Sequence, residues 1–370
     1  MLIYLFSFVY CIFFHYVAYR MKNKVAKYVL VFVPLIWLAF LAGVRDYGVG
    51  TDTMVYSKAY FDDARHAHGI DDLLNNENKT ISNKGYLFLN YFGTLLMSHI
   101  FIEWFLTELL FLVCAYLAVI RLAKYFQINL ALFSVLFLFA FYNPSLNLMR
   151  QMCAISVCLL SFSFMIENKR VIAIMLLLAA ITFHTSSAVF ILAFAYWHFS
   201  GTRHKALMFS IVSGGMLLGI AFFFWLLKIL GSLGVFSKVY MERYGIGSQF
   251  EGERVPFAFM GVAAVILIGI LISYSKKVLT DSENFFLLLI HTTFMILMSL
   301  NFLVGTLIRI SYYFYALDLV IMAILLTSRK IHIAYKMLLP MTVIFMWLYN
   351  FMYLNGNSTY PYRSQILGIY

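Results

Sequence analysis

The stretch "LIYLFSFVYCIFFHYVAYRMKNKVAK" (residues 2–27) contains one apolar run followed by a group of basic residues. A helix needs roughly 20 mostly apolar residues to cross a bilayer, and residues 2–19 come close to that length. Basic residues after such a run favour the cytoplasmic side. Because no basic region precedes the run and no small-residue cleavage site follows it, we expect a retained transmembrane helix and not a signal peptide.

The same alternation of apolar runs and short basic groups continues along the whole chain. Hydrophobic residues make up 63% of the 370 residues and charged residues 12%, and the mean hydropathy is +0.87. A water-soluble core cannot bury so much apolar surface. The composition therefore predicts an all-α polytopic integral membrane protein, in which residues 1–370 form a single transmembrane helical domain.

The basic groups predict the topology, since short loops rich in Lys and Arg stay in the cytoplasm. They are Arg20, Lys22, Lys24 and Lys27; Arg121 and Lys124; Lys169 and Arg170; Arg203 and Lys205; Lys276 and Lys277; and Arg329, Lys330 and Lys336. If all six groups are cytoplasmic, both termini lie outside and about 12 helices cross the membrane. The predicted spans are residues 2–19, 28–44, 101–120, 128–143, 150–166, 171–183, 186–200, 207–228, 257–275, 284–304, 310–328 and 337–354.

Two segments fit this scheme poorly. Residues 86–100 are apolar but must not cross if Arg121 is to stay inside, so they predict a re-entrant or interfacial helix, with a full crossing as the alternative. Residues 171–183 and 186–200 are each short for a span and meet at "FHTSS". Broken helices of this kind are tolerated where they line a cavity.

Polar loops are predicted on the outer side, near residues 45–84 and 229–256. The first contains seven acidic and five basic residues, so the net charge of +11 comes mostly from the cytoplasmic groups. That charge indicates contact with anionic membrane lipid and gives no reason to expect nucleic acid. The four cysteines lie in apolar runs without metal or disulfide spacing, so we expect no metal and no cofactor.

Four single arginines stand apart from the basic groups, at outer helix ends or in the tail: Arg45, Arg150, Arg309 and Arg363. They either snorkel to headgroups and pair with nearby acids, or bind an anion. Guanidinium suits phosphate and pyrophosphate because it stays charged and donates two parallel hydrogen bonds.

Two further places carry polar side chains suited to chemistry. His184 lies at the predicted hinge, where it is either a structural histidine bonded to a carbonyl or a proton acceptor in a cavity. In "GVGTDT" (residues 48–53), Asp52 lies between Thr51 and Thr53, a pattern that suits sugar hydroxyls. Thr51 or Asp52 alternatively caps the helix that follows. Phosphate-loop, dinucleotide and Gly-x-Ser-x-Gly motifs are absent from the sequence.

Several short motifs together resemble the EpsG/Wzy-type polysaccharide (O-antigen) polymerases, over nearly the whole chain. They are Arg45 with "GTDT" and Tyr56, the "GY" pair at residues 85–86, "LNLMRQMCAISVCLLSF", "ITFHTSSAVF" and the closing "YPYRSQILGIY". The resemblance implies a bacterial inner-membrane glycosyltransferase that joins oligosaccharide repeat units carried on undecaprenyl pyrophosphate, with its active site facing the exterior. It leaves open whether a chain-length regulator and a flippase act with it.

On this reading the four arginines hold the pyrophosphate, while Thr51, Thr53 and Tyr56 contact pyrophosphate or glycan. Either Asp52 or His184 orients or deprotonates the attacking hydroxyl. Two other functions stay open: a lipid-linked oligosaccharide flippase or other transporter, and a membrane acyltransferase that modifies glycans. The absence of inverted repeats argues against the first, and the outward position expected for His184 argues against the second.

Overall fold

The computed structural model describes residues 1–74, 81–232, 257–302 and 307–370. These residues are mostly helical, and we number the helices in chain order. They are α1 (Leu2–Arg20), α2 (Lys24–Gly43), α3 (Lys58–His66), α4 (Ile70–Leu74), α5 (Ile81–Leu96), α6 (Phe101–Leu122), α7 (Leu130–Asn147), α8 (Met149–Ile166), α9 (Arg170–Phe183), α10 (Ile191–Phe199), α11 (Lys205–Ser232), α12 (Phe257–Lys276), α13 (Asp281–Ser299), α14 (Leu307–Thr327) and α15 (Ile333–Trp347). A π-helical turn, Thr53–Ser57, precedes α3, and another, Leu348–Tyr353, extends α15.

Nine helices in the described part of the chain are long and apolar enough to cross a membrane. They are α1, α2, α6, α7, α8, α12, α13, α14 and α15 with its π-helical extension. Three shorter apolar helices, over residues 170–183, 185–199 and 205–219, occupy the places of the other predicted spans. The protein is thus a helical membrane protein, and the count of twelve crossings stays a prediction.

Local sequence signals explain where several helices begin. The side chain of Asn129 accepts a hydrogen bond from the Ala131 amide at 2.9 Å and starts α7. Thr280 and Glu283 form a reciprocal capping box at the start of α13. Each cap satisfies amides that the first helical turn leaves without partners.

Three helices form the centre of the bundle. The apolar windows of α7, α14 and α8 are 89%, 83% and 72% buried, more than those of the other spans. Helices α1 and α15 pack on α7, helices α6 and α9 pack on α8, and α13 packs on α14. A helix that is apolar and buried all round belongs in the interior of a bundle, so the junction between α7 and α8 is an interior feature.

That junction is a break one residue long. Leu148 has φ −84° and ψ 42°, outside the helical region, and separates the two helices. Pro144 lies in the last turn of α7, where its ring nitrogen cannot donate to the helical hydrogen-bond ladder. The sequence "NPSLN" therefore ends α7, and α8 starts directly after Leu148.

The segment predicted as a re-entrant or interfacial helix, residues 86–100, is helical over only part of that range. Helix α5 begins at Ile81, ends at Leu96 and has 16 residues. It packs against α9, α3 and α6. This length is short of the roughly 20 residues that a span requires.

The predicted hinge between two short helices is present at His184. Helix α9 ends at Phe183, His184 is extended with φ −157° and ψ 121°, and a 3₁₀ turn, Thr185–Phe190, leads into α10. Non-helical backbone at such a place needs polar partners or a cavity, because lipid offers no hydrogen bonds.

The segment near residues 45–84, predicted as an outer loop, is largely structured in its described part, since it contains the π-helical turn, α3, α4 and the start of α5. Helix α11 continues to Ser232, and most of the second predicted loop, residues 229–256, lies outside the described residues. The tail after α15 folds back over the ends of other helices. Within it, the Tyr362 hydroxyl donates to the Leu41 carbonyl at 2.8 Å and the Ser364 hydroxyl to the Val44 carbonyl at 2.6 Å.

Candidate functional site

A polar pocket lies where several helix ends meet the segment near residues 45–84. It is formed by the loop before α3, helix α5, the α7–α8 break, the α9–α10 hinge and the first turn of α14. Its lining residues are Asp52, Tyr56, Tyr86, Asn147, Leu148, Met149, Arg150, Gln151, His184 and Arg309. Five residues singled out in the sequence, on four separate segments, therefore come together: Asp52, Tyr56, Arg150, His184 and Arg309.

The spanning helices reach this pocket by the ends that lie away from the basic groups. Helix α7 leads away from Lys124 and ends at the pocket. Helix α8 begins at the pocket and ends before Lys169, and α14 begins at the pocket and ends before Arg329. The pocket and the basic groups thus lie at opposite ends of these helices.

The loop that carries Asp52 is held against the α7–α8 break by Asn147. The Asn147 side-chain oxygen accepts hydrogen bonds from the Asp52 amide at 2.8 Å and the Thr51 hydroxyl at 3.1 Å. Gly50 has φ +94°, and a Cβ atom there would lie 2.7 Å from the Leu146 carbonyl oxygen. Glycine is required at this position by both the backbone angle and the close approach.

The Asp52 carboxylate stands at the start of the π-helical turn but makes no capping hydrogen bond. Helix capping, the alternative role considered for Thr51 and Asp52, is therefore not what either side chain does. Burial raises the pKa of the Asp52 carboxyl above its ordinary value of 3.8, and the nearby charges of Arg309 and Arg150 oppose the rise. A half-buried carboxylate that faces two guanidinium groups is suited to a ligand role.

Arg150 lies in the first turn of α8, with its guanidinium near two aromatic rings. Its Cζ atom lies 5.1 Å from the centre of the Tyr56 ring and 5.2 Å from that of Tyr60. One terminal nitrogen also lies 3.2 Å from the Tyr60 hydroxyl. The two ring contacts and the contact with the Tyr60 hydroxyl together restrict the direction in which the guanidinium donates.

Arg309 lies in the first turn of α14 and is exposed in the pocket. Its backbone carbonyl accepts a hydrogen bond from the Gln151 side chain, which ties α14 to α8. The two arginines therefore face one pocket from two helices whose starts are joined.

His184 lines the opposite side of the pocket, at the break between α9 and α10. Its Nδ1 atom lies 2.6 Å from the Ser186 hydroxyl. The Ser186 hydroxyl donates to the Tyr313 hydroxyl at 3.1 Å. The hinge histidine is thus held by side chains, which differs from the carbonyl contact considered as its structural role.

Four of the predicted site residues do not line the pocket. Arg45 is buried, with its guanidinium 4.6 Å from the Trp104 ring centre and 3.1 Å from the Leu146 carbonyl oxygen. Arg45 therefore stabilises the α7–α8 break without lining the pocket. Thr53 is buried and donates to carbonyls of its own loop, Thr51 bonds to Asn147, and Arg363 is exposed in the tail.

Three polar pocket residues were not singled out from the sequence as site residues: Tyr86, Asn147 and Gln151. Tyr86 donates from its hydroxyl to buried Glu103, on the first turn of α6. Asn147 and Gln151 flank the break, next to Leu148 and Arg150. The sequence signal that could have identified Asn147 and Gln151 was their position beside Arg150 in an otherwise apolar stretch.

The arrangement offers two cations, one carboxylate and one imidazole around a single pocket. In the parts of the chain that the structure describes, no group of three His, Cys, Asp or Glu side chains is placed to hold a metal ion. The cations can bind an anionic group, and the carboxylate and imidazole can accept hydrogen bonds or a proton from a neighbouring hydroxyl.

One comparison with known proteins gave a match. A family model described as the EpsG family matches residues 28–364, which include every pocket residue. The chain belongs to the EpsG family. This family is associated with glycosyl polymerase activity, so the protein is a membrane protein of the polysaccharide-polymerase type. No curated protein and no solved structure matched the chain.

Proposed function

We propose that this EpsG-family protein joins oligosaccharide repeat units carried on undecaprenyl pyrophosphate into a polysaccharide, on the outer side of the bacterial plasma membrane. One observation carries the proposal: Arg150 and Arg309 face the same pocket as Asp52 and His184. A glycosyl transfer from a pyrophosphate carrier needs cations for the leaving group and an acceptor for the proton of the attacking hydroxyl.

The donor pyrophosphate binds between Arg150 and Arg309. As the bond from the anomeric carbon to the carrier breaks, negative charge grows on the leaving phosphate oxygen. Guanidinium groups already aimed at that oxygen stabilise this charge without rearranging. The aromatic rings of Tyr56 and Tyr60 keep Arg150 in place while this happens.

The hydroxyl of the second lipid-linked unit enters from the side of Asp52 and His184. These two side chains are the acceptors that orient the hydroxyl and take its proton as it attacks the anomeric carbon. The polar outer segment, with α3 and α4, offers space for the glycan. The lipid tails enter sideways between helices, as expected for a substrate dissolved in the membrane.

The outward direction of the pocket rests on charge. Every spanning helix that reaches the pocket does so by the end away from its basic group, and basic groups favour the cytoplasm. On this basis we propose that the site opens to the exterior, where finished repeat units arrive. A flippase that delivers them, and a regulator of chain length, are the partners this position calls for.

Deletion of the protein tests this function in cells. A polymerase is needed only after one repeat unit has been built and moved across the membrane. Cells without it should place a single repeat unit on the final acceptor, so a gel of the surface glycan should show one short product in place of a ladder. A strain that carries the wild-type protein on a plasmid is the control and should recover the ladder.

The other functions predict different gels. Loss of a flippase would stop lipid-linked units at the cytoplasmic face and give no short product. Loss of an acyltransferase would leave the ladder at full length with altered modification. A full ladder in the deletion strain, with no second polymerase present, would contradict polymerisation.

A further inference from the structure

A chain of three side chains connects the pocket to the buried face of α14. It runs from His184 Nδ1 to the Ser186 hydroxyl at 2.6 Å, and from Ser186 to the Tyr313 hydroxyl at 3.1 Å. Tyr313 is fully buried. Ser186 follows His184 by two residues and lies in the 3₁₀ turn, so the turn itself brings the hydroxyl within hydrogen-bond distance of Nδ1.

With Ser186 as the donor to Tyr313, this chain of hydrogen bonds assigns one form of the histidine. A serine hydroxyl has one proton, and that of Ser186 is donated to Tyr313. The His184–Ser186 contact then requires Nδ1 to carry a proton and donate it to the Ser186 oxygen. In the neutral ring this leaves Nε2 unprotonated, since the hydrogen bond made by one ring nitrogen decides the state of the other.

We propose that Ser186 and Tyr313 are positioning residues that hold neutral His184 with Nε2 as the free proton acceptor, so that His184 and not Asp52 takes the proton of the attacking hydroxyl. This inference rests on the proposed polymerase function and names the base within it. Asp52 then orients the hydroxyl as a hydrogen-bond acceptor and remains ionised.

Two guanidinium groups face the same pocket as His184, so we expect the histidine to act only with the donor in place. Burial and the charges of Arg150 and Arg309 disfavour a positive charge on the ring. Asp52 also faces the pocket. Tyr86 faces it from α5, but its hydroxyl donates a hydrogen bond to Glu103. A bound pyrophosphate offsets the two guanidinium charges. It therefore lowers the electrostatic cost of the imidazolium that forms during the reaction.

The acceptor oxygen forms a bond to the anomeric carbon, and its proton moves to His184 Nε2. The bond between the anomeric carbon and the carrier oxygen breaks, and its electron pair leaves with undecaprenyl pyrophosphate. The imidazolium later releases the Nε2 proton to water, while Nδ1 keeps its proton and its bond to Ser186.

Kinetics of the purified full-length protein test the positioning role. The substrate is the lipid-linked oligosaccharide extracted from cells that lack the protein. Ser186→Ala and Tyr313→Phe should each lower kcat about tenfold, because the His184 ring loses its fixed tautomer. KM should change little, because the arginines that bind the donor remain in place. Ser186→Thr keeps a hydroxyl and should recover most of the rate.

The chain offers a matched control in the next residue. Ser187 is also fully buried, and its hydroxyl has no hydrogen-bond partner among the described residues. Ser187→Ala should therefore keep the wild-type rate. An unchanged kcat in Ser186→Ala, or an equal fall in Ser187→Ala, would overturn the positioning role.

A second readout does not depend on activity. Nitrogen-15 NMR of the histidine-labelled full-length protein reports which ring nitrogen carries a proton, and subtraction of the His184→Gln spectrum assigns the signal. We expect protonated Nδ1 in the wild type and in Ser187→Ala, and a shift towards protonated Nε2 in Ser186→Ala. Protonated Nε2 in the wild type would contradict the proposal even if the protein polymerises. Absence of polymerisation by the wild-type protein, with the expected NMR signal, would instead contradict the proposed function.

Discussion

At the scale of single residues, Arg150 differs from an arginine that only snorkels to the lipid headgroups. Its guanidinium lies against two tyrosine rings and faces a pocket that also contains a carboxylate. A lysine ammonium is a point charge on a flexible stem and cannot reproduce a planar donor held in this way. The identity of the side chain, and not only its charge, should therefore matter.

Replacement of Arg150 or Arg309 tests this reading. We expect Lys at either position to lower the polymerisation rate by about tenfold or more, and Arg150→Ala to lower it by roughly 10² to 10³ with a normal amount of protein in the membrane. Arg65→Ala, at an exposed position on α3, is the control and should keep the rate. Full activity of both Lys variants would reduce the pair to a general charge effect.

Asp52 should show a conflict between stability and activity. Burial raises its pKa in the folded protein, so the ionised carboxylate destabilises the fold near neutral pH. This cost disappears as the pH falls through the raised pKa towards the ordinary value of 3.8, because the carboxyl is then neutral in the folded protein too.

We therefore expect Asp52→Asn to lose the glycan ladder but to melt about 1 to 2 °C higher than the wild type near pH 7.5. The difference in Tm should shrink as the pH approaches about 4. Thermal unfolding of both purified proteins at the two pH values checks this. A lower Tm for the variant near neutral pH would mean that the carboxylate stabilises the loop.

The sequence predicted about half of this site, for a physical reason. Arg150, His184 and Arg309 stood out because ionisable groups are costly beside long apolar runs, and Asp52 stood out because it lies between two threonines. Arg45 gave the same signal, yet its guanidinium turns inward to Trp104 and the Leu146 carbonyl. Composition reveals the cost of a charge but not the direction in which its side chain points.

At the scale of elements, the two glycines of "GVGTDT" have different roles. Gly50 has a positive φ and lies against the Leu146 carbonyl, whereas nothing lies within 4 Å of a Cβ built on Gly48. A side chain at Gly50 would push the Asp52 loop away from Asn147 and from the α7–α8 break. The close approach that places Asp52 in the pocket depends on this one residue.

Substitution of the two glycines makes a matched pair. Gly50→Ala should destabilise the protein by about 1 to 3 kcal/mol and strongly reduce polymerisation, because backbone strain and the carbonyl contact add. Gly48→Ala should change neither by more than about 0.5 kcal/mol or a factor of two. Thermal unfolding and the glycan ladder give both readouts, and equal effects of the two substitutions would contradict this account of the loop.

Helices were easier to predict than their junctions. Apolar length and basic groups located the spanning helices within a few residues, and "FHTSS" located the break at His184. The end of α5 at Leu96 was missed, because the apolar run was read through Ser98 and His99 to Ile100. The Ser186–Tyr313 contact joins residues 127 positions apart, and no local pattern encodes such a contact.

At the scale of the whole molecule, one bundle separates two chemically different ends. The pocket lies at the helix ends away from the basic groups, and the C-terminal tail ties the same region together. The Gly50 amide donates to the Ser358 carbonyl at 2.8 Å, and the Asn147 side chain donates to that of Asn357 at 3.2 Å. The tail thus helps to hold the loop and the break that form the pocket.

Labelling of single cysteines in a Cys-free protein tests the sidedness of this bundle. Cysteines at Lys169, Lys276 and Lys330 should be protected from an impermeant reagent added to intact cells, and cysteines at Asp71 and Tyr370 should react. Permeabilised cells are the control. There all five cysteines should react, since all five positions are exposed on the protein surface. Reaction of position 276 in intact cells would reverse the proposed orientation of the pocket.

Polymerisation by the purified protein tests the central claim most directly. The full-length protein in detergent is mixed with lipid-linked oligosaccharide extracted from cells that lack it, and both glycan length and released undecaprenyl pyrophosphate are measured. We predict a ladder that grows with time, one carrier released for each linkage formed, and formation of both products slowed by roughly 10² to 10³ with Arg150→Ala. Folded wild-type protein that yields no ladder and releases no carrier would contradict the account.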